Sequence, residues 1–234
     1  IDNKIFFFFS HTIKKQPYNK LLLQAILEKK IQLVDYETLV GGDEKRIIGF
    51  GRYAGIVGSY NSFLVYGKKT KKYDLKPPQL LKDKKALYKE LKKVVLPKNF
   101  KIILTGSGRV ANGAIEILEE LGIKQIDGDD FLKQIFDYPT YVQLDSLDYN
   151  QRIDNTLGSK KDFYIHPDKY KSVLLKYTRF ANMLITGHYY SPGSPIILSK
   201  EDINNTACNI EVIADISCDI DGPIGCTIRP STID

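Results

Sequence analysis

Residues 101–127, KIILTGSGRVANGAIEILEELGIKQID, leave the chain few ways to fold. Lys101 to Thr105 is short, apolar and β-branched, the composition of a strand covered on both faces of a parallel sheet. Gly106-Ser107-Gly108 follows, and then a helical repeat puts Val110, Ala114, Ile117, Leu118 and Leu121 on one face. Gly122 stands where a helix takes a left-handed terminating residue. Residues 123–126 form a second apolar run, closed by Asp127.

The order strand, G-x-G-x-x-A, helix, strand, acid is what a dinucleotide needs. Gly106 permits the tight turn, and Gly108 has no Cβ to block a pyrophosphate. Ala111 takes the third position, where a small side chain lets helix and strand approach. The helix N-terminus offers N–H groups and a partial positive charge to phosphates. Asp127 falls about 20 residues beyond Gly106, as expected of the acid that hydrogen-bonds a ribose hydroxyl. The expected ligand is NAD or NADP, with NAD favoured because an acid there repels a 2′-phosphate. The bland alternative is a glycine-rich turn that only packs.

Composition excludes several other classes. The longest apolar runs, such as residues 5–9, are too short to span a bilayer. The three cysteines, Cys208, Cys218 and Cys226, are widely spaced with no CxxC, which reads as reduced thiols of a cytoplasmic protein without a metal site. The net charge of +6 is local: residues 68–101 hold 13 lysines against Asp74, Asp83 and Glu90, leaving −4 elsewhere. That stretch has no arginine, so a solvated helical face is expected there rather than a nucleic-acid surface.

Residues 4–9 (KIFFFF) read as a buried strand delivering Ser10 and His11 at its carboxyl end, where ligands of open α/β sheets collect. Pro17 starts a helix to about Lys30, with Leu21, Leu22, Ala25 and Ile26 inward. Residues 31–34 and 46–50 read as further strands, so three βα-type units make a half-complete α/β domain. Residues 52–66 form a helix rich in small residues, at Ala54, Gly55, Gly58 and Ser59, which invite close approach of another backbone. A lysine-rich helix over 79–95 follows Pro77-Pro78, and the region after Asp127 to about Ser172 reads as short helices and loops. Residues 183–186 and 212–216 read as strands, with Ser199 capping a short helix between them. The division expected is 1–51 as a partial substrate domain, 52–97 as linking helices and 98–234 as the dinucleotide domain.

Candidate chemistry sits at the strand ends. His11 can shuttle a proton near neutral pH or be a hydrogen-bonded structural residue. Glu37 can set the surroundings of His11, hold a substrate amine, or be an exposed acid. Arg46 can fork onto a substrate carboxylate or be a surface cation. His188 could line the cofactor crevice, and Asp215, Ser217 and Asp219 share another strand end.

The segments FFFFSHTIKKQPYN, LVDYETL, RIIGFGRYAG, LTGSGRVANGA and IADISCDIDGPIGCTIRPSTI together resemble the saccharopine dehydrogenase (lysine-forming) and lysine–ketoglutarate reductase family, which is related to alanine dehydrogenase and the transhydrogenase domain. The resemblance runs in order from residue 4 to the C-terminus and is poor over 60–97 and 130–180. It implies an α/β chain of two Rossmann-like domains, the first one incomplete, with parallel sheets flanked by helices and a site in the cleft between them.

By the same resemblance His11 matches the catalytic acid/base and Glu37 an active-site glutamate, while Gln16, Arg46 and Phe50 match positions around the substrate. Gly108 and Arg109 match the phosphate loop, Tyr189 a cofactor contact, and Ile216 through Ser217 to Asp219 a segment touching nicotinamide and substrate. The family's catalytic lysine lies upstream of its histidine and its closing segment downstream, so the chain reads as part of a longer protein. The activity implied is NAD(P)-linked oxidation of saccharopine to lysine and 2-oxoglutarate, or the reverse condensation. The alternatives are an amino-acid dehydrogenase of alanine dehydrogenase type and a non-catalytic dinucleotide-binding module. The partners expected are small amino and oxo acids, with no nucleic acid and no membrane.

Overall fold

A computed structural model describes residues 1–229 apart from 16, 43–45, 191–192, 218 and the side chain of Lys14. Residues 1–50 and 51–234 form two compact units, and each is described by itself.

In the smaller unit, strands β1 (Ile5–Phe8) and β2 (Gln32–Asp35) pair in parallel, joined through helix α1 (Lys20–Glu28). The expectation of a buried first strand is corrected, since Ile5 and Phe7 are each 59% exposed. An apolar strand is buried only where further layers cover it, and this sheet has two strands among the described residues. Leu21 and Leu22 also face outward; Ile26 is the residue of α1 that is buried. No strand forms over 46–50, where Arg46 makes a single antiparallel bridge to Val40. What binds β1 to β2 at their tips is Asp35, which accepts from the Ser10 hydroxyl, from Ser10 N at 3.3 Å and from Glu37 N at 2.9 Å. Burial pushes the Asp35 carboxyl up, but these donors outweigh it and hold the group below its ordinary value.

The larger unit is built on a five-stranded parallel sheet: β3 (Lys101–Thr105), β4 (Lys124–Ile126), β5 (Thr140–Leu144), β8 (Met183–Thr186) and β9 (Val212–Asp215). Their order across the sheet is β4-β5-β3-β8-β9. Every residue of β3 is buried, in keeping with a central strand covered on both sides. Side chains alternate between two cores, as a period of two demands. Ile102, Leu104, Met183 and Ile185 enter one, while Ile103, Leu184, Val142 and Leu144 enter the other. Each fully buried Leu or Ile contributes roughly 1.5–3 kcal/mol relative to exposure.

Strand β5 corrects the reading of the region from 128 to about 172 as helices and loops. TYVQL is short and stands between aspartate-bearing stretches without periodicity, yet all but Gln143 are buried. Strand β4, by contrast, exposes Lys124 and Gln125, the polar character of an edge strand. The remainder of 128–178 does contain short helices, α5 (Gly128–Lys133), α6 (Ser146–Tyr149), α7 (Lys160–Ile165) and α8 (Leu175–Thr178). It also contains a small antiparallel pair, β6 (Asn150–Arg152) with β7 (Tyr170–Ser172).

Residues 51–97 contain helices α2 (Gly51–Thr70) and α3 (Lys84–Leu91), whose apolar residues join the core of the larger unit. The second is shorter than the expected 79–95 because Asp83 caps it, accepting from Ala86 N at 2.9 Å. The small residues of α2 do what their size suggested. A Cβ on Gly55 would lie 1.9 Å from Val110 O, and one on Gly113 would lie 1.9 Å from Arg52 O. Helix α2 therefore meets helix α4 (Arg109–Glu120) backbone against backbone.

Glu116 of α4 ties the neighbouring helices together, accepting from Arg52 of α2 at 2.5 and 2.9 Å and from Lys84 of α3 at 2.5 Å. The Arg52 hydrogen bond comes first among the interactions that depress its carboxyl, to about 2, with Lys84 adding to it against the effect of burial. A carboxyl depressed in the folded state stabilises above its ordinary value of 4.5 and loses that contribution as pH falls toward 2. Glu116→Gln is therefore expected to melt about 2–4 °C below the wild type at pH 6. Thermal melts taken down to pH 2.5 should show that gap closing.

Candidate functional site

In the larger unit a cavity of about 390 Å³ opens over the end of β3. Its floor is Gly106, Ser107, Gly108, Arg109 and Val110, the turn into α4. Gly106 has φ +89°, and a Cβ there would lie 2.6 Å from Gly187 O, so this position requires glycine. Its N–H donates to Leu144 O of β5 at 2.8 Å, and Gly187 N donates to Thr105 O at 2.9 Å. The turn is thus stitched to the strands on either side. Ala111 is wholly buried, and a Cβ on Gly187 would lie 3.0 Å from its Cα. The third small position therefore packs against the loop after β8.

Gly108 is different. A Cβ there would meet nothing within 4 Å, and its φ of −88° is open to any residue. It begins α4 with no side-chain hydrogen bond capping the helix among the described residues. Space above a glycine and uncapped N–H groups below it suit a diphosphate. The residues present therefore fit the group expected from the sequence.

Of the other expected cofactor residues, Arg109 and Tyr189 line this cavity, Tyr189 at its mouth with 84% exposure. Asp127 does not line it, among the described residues. It follows the edge strand β4, and its carboxylate caps α5, accepting from Asp129 N and Asp130 N at 2.9 Å each. On the β4 side of the sheet the strand beside β3 is β5, and the acid after it is Asp145, which does line the cavity. Spacing along the chain missed it because β5 inserts between β3 and β4. The available signal is a strand-like TYVQL followed by an acid.

Asp145 accepts from Ser146 N at 2.6 Å, from Ser107 Oγ at 3.5 Å and from the Lys160 ammonium. Burial pushes its carboxyl up, but the Lys160 contact and the Ser146 N–H outweigh this and keep it below its ordinary value. An ionised acid therefore stands beside the glycine turn.

The tip of β9 is arranged around Asp215, which accepts from Thr186 Oγ1 at 2.7 Å and from Ser217 Oγ and Thr227 Oγ1 at 2.5 Å each. The Ser217 hydroxyl is thus engaged with Asp215 rather than held out toward a ligand. Ile216 packs beside α2, its Cγ1 2.5 Å from where a Gly58 Cβ would be. Asp219 closes a turn, its carbonyl accepting from Gly222 N at 3.0 Å. Ile216, Ser217 and Asp219 are not among the described residues lining the cavity.

In the smaller unit, four expected residues do come together. His11 Nδ1 lies 3.2 Å from Glu37 Oε2, and Arg46 Nη2 lies 3.6 Å from Glu37 Oε1. The Glu37 side chain is only 4% exposed, whereas those of His11 and Arg46 are 55% and 50% exposed. Phe9 stacks on His11 at 6.1 Å and meets Phe50 at 5.4 Å. A buried acid thus holds an imidazole and a guanidinium, groups whose chemistry can carry a proton and fork onto a carboxylate. Gln16 lies outside the described residues.

No family model matches the chain. The whole chain aligns, at 28% identity over 272 positions, with an alpha-aminoadipic semialdehyde synthase of Arabidopsis thaliana, and at 25% over 276 with the mitochondrial one of Mus musculus. Its homologues are alpha-aminoadipic semialdehyde synthases. The chain spans 26% and 30% of those two synthases. The expected resemblance to the saccharopine dehydrogenase and lysine–ketoglutarate reductase family is borne out by these relatives. In fold, 99% of the chain superposes on 54% of an L-alanine dehydrogenase with a TM-score of 0.55 and 13% identity. The five-stranded parallel sheet flanked by helices is therefore of the Rossmann-like kind that the sequence implied.

Proposed function

We propose that the chain carries the cofactor site and the proton-handling residues of an NAD(P)-dependent oxidoreductase acting on the CH–NH group of saccharopine. The observation that carries this reading is the open cradle over Gly108 in a chain whose whole length aligns with aminoadipic semialdehyde synthases. When bound, a nicotinamide dinucleotide supplies hydride transfer to or from the amine-bearing carbon.

Gly106, Gly108 and the first N–H groups of α4 hold the diphosphate, with Arg109 and Tyr189 along its course. Asp145 takes the ribose role that the sequence assigned to Asp127. Because Lys160 is engaged by the Asp145 carboxylate, it is not available as a cation for a 2′-phosphate, which supports NAD as the preferred form. His11 moves the proton of the reacting amine and of the water that hydrolyses the imine. Glu37 holds the His11 ring by Nδ1 and sets the charge around it, and Arg46 receives a substrate carboxylate. For Gln16, Phe50, Ile216, Ser217 and Asp219 the roles around substrate and nicotinamide rest on the family resemblance alone.

The likeness to L-alanine dehydrogenase in fold favours a second reading, an amino-acid dehydrogenase for a different oxo acid. For compartment, the free thiols of Cys208 and Cys226 suit the cytoplasm expected from the sequence. They suit equally the mitochondrial location printed in the names of the rodent relatives. No helix among the described residues is long and apolar enough to cross a membrane.

A substrate panel separates the two enzyme readings in the whole protein. Dinucleotide reduction is expected with saccharopine, and oxidation with lysine plus 2-oxoglutarate, at least 100-fold more efficiently than with alanine or with pyruvate plus ammonia. The reverse preference would establish the second reading.

A further inference from the structure

His188 is a buried polar side chain of the cavity that this reading leaves unused. It follows Gly187 at the end of β8 and lines the cavity, and only 7% of it is exposed. Its Nδ1 lies 2.7 Å from Thr105 Oγ1, at the end of β3. Its Nε2 is buried and has no hydrogen-bond partner among the described residues. A buried nitrogen without a partner is costly, and such atoms in native folds belong with a water, an ion or a ligand.

The ring's direction narrows the choice. From the β8 loop it reaches back over β3 to Thr105 and lies 6.0 Å, centroid to centroid, from Tyr149 of α6. Helix α6 follows β5, so His188 leans toward the side of the sheet where Asp145 stands and away from β9. On the dinucleotide reading this is the side of the adenosine half. Burial holds the imidazole well below its ordinary value, to about 4, against a weaker opposing pull from Asp215. At neutral pH the ring therefore carries one proton and one lone pair.

We propose that His188 is a cofactor-binding residue: Thr105 Oγ–H donates to Nδ1, and the Nε2–H left free donates to the adenosine diphosphate half of the dinucleotide. This rests on the dinucleotide site proposed above. It adds a contact from the loop after β8 to those of the glycine turn and Asp145. A neutral donor suits a diphosphate already faced by a helix N-terminus, because it adds a direction without a further full charge.

Binding of ADP, nicotinamide mononucleotide and NADH to the 234-residue chain, measured by calorimetry, tests the contact. His188→Leu is expected to weaken ADP and NADH about 3- to 10-fold, the worth of one neutral hydrogen bond, and to leave nicotinamide mononucleotide unchanged. His188→Gln, which keeps a donor near Nε2, should recover part of the loss. Nitrogen NMR of the wild type should show a protonated Nε2 whose resonance moves with ADP and not with nicotinamide mononucleotide. That reading stands even if His188→Leu fails to fold. NADH binding with an unmoved Nε2 resonance, or an undiminished affinity in His188→Leu, would overturn the contact alone. Absence of NADH binding to the wild type would overturn the dinucleotide site with it.

Discussion

His11→Ala in the whole protein is expected to lower turnover of saccharopine by about 10²–10⁴-fold, the usual contribution of a positioned acid or base, while dinucleotide affinity stays within about twofold. A histidine kept for structure is ordinarily buried with its polar atoms satisfied. His11 is more than half exposed and held by one nitrogen, against a Glu37 that is almost wholly buried. Its backbone sits in the left-handed region, φ 55°, at the start of a single turn over Thr12–Lys14. Histidine visits that region more readily than most residues, but it is still uncommon, and strain of this kind collects at functional positions. Phe9 lies roughly parallel to the ring, with centroids 6.1 Å apart. Steady-state kinetics with saccharopine, paired with an NADH titration, checks this. Turnover unchanged within twofold would remove His11 from the mechanism.

Gly108→Val is expected to leave the melting temperature within about 1 °C of the wild type and to weaken NADH at least 100-fold, about 2.7 kcal/mol. Fold and function separate cleanly at this residue. Its φ of −88° suits an L-residue, and a Cβ would touch nothing within 4 Å, so a valine adds no clash to the folded chain. The space it would fill is the space assigned to the diphosphate, and the branched side chain would also screen the N–H groups that start α4. Gly106 makes the contrast. Its positive φ and the Gly187 carbonyl 2.6 Å from a would-be Cβ mean that a valine there would damage the turn itself. Melting curves and titrations of the two variants should therefore differ in kind: binding lost with fold intact at 108, fold damaged at 106.

What could be read without coordinates was the chemistry that stays local. The β3 turn into α4 was legible because glycine positions, a helical face and a terminating Gly122 all lie within one short stretch. The close α2–α4 crossing was legible as a need for small residues, though the partner, Val110 on one side and Arg52 on the other, was not. KIFFFF reads as a buried strand because it reports hydrophobicity and says nothing about whether layers exist to cover it. Distance along the chain points to Asp127, and no count of residues reveals that β5 slips in beside β3 and places Asp145 at the cavity. His188 stayed undecided for the same reason, since its burial and its contact with Thr105 are made by strands 83 residues apart.

The central claim is that a dinucleotide lies over Gly106 and Gly108, and an NADH titration of the 234-residue chain followed by cofactor fluorescence tests it most directly. Saturable binding at one site per chain, displaced by ADP-ribose and abolished by Gly108→Val in a chain that still melts normally, is the predicted result. A folded wild-type chain that fails to saturate at millimolar NADH, or a Gly108→Val chain that binds as tightly as the wild type, would contradict it.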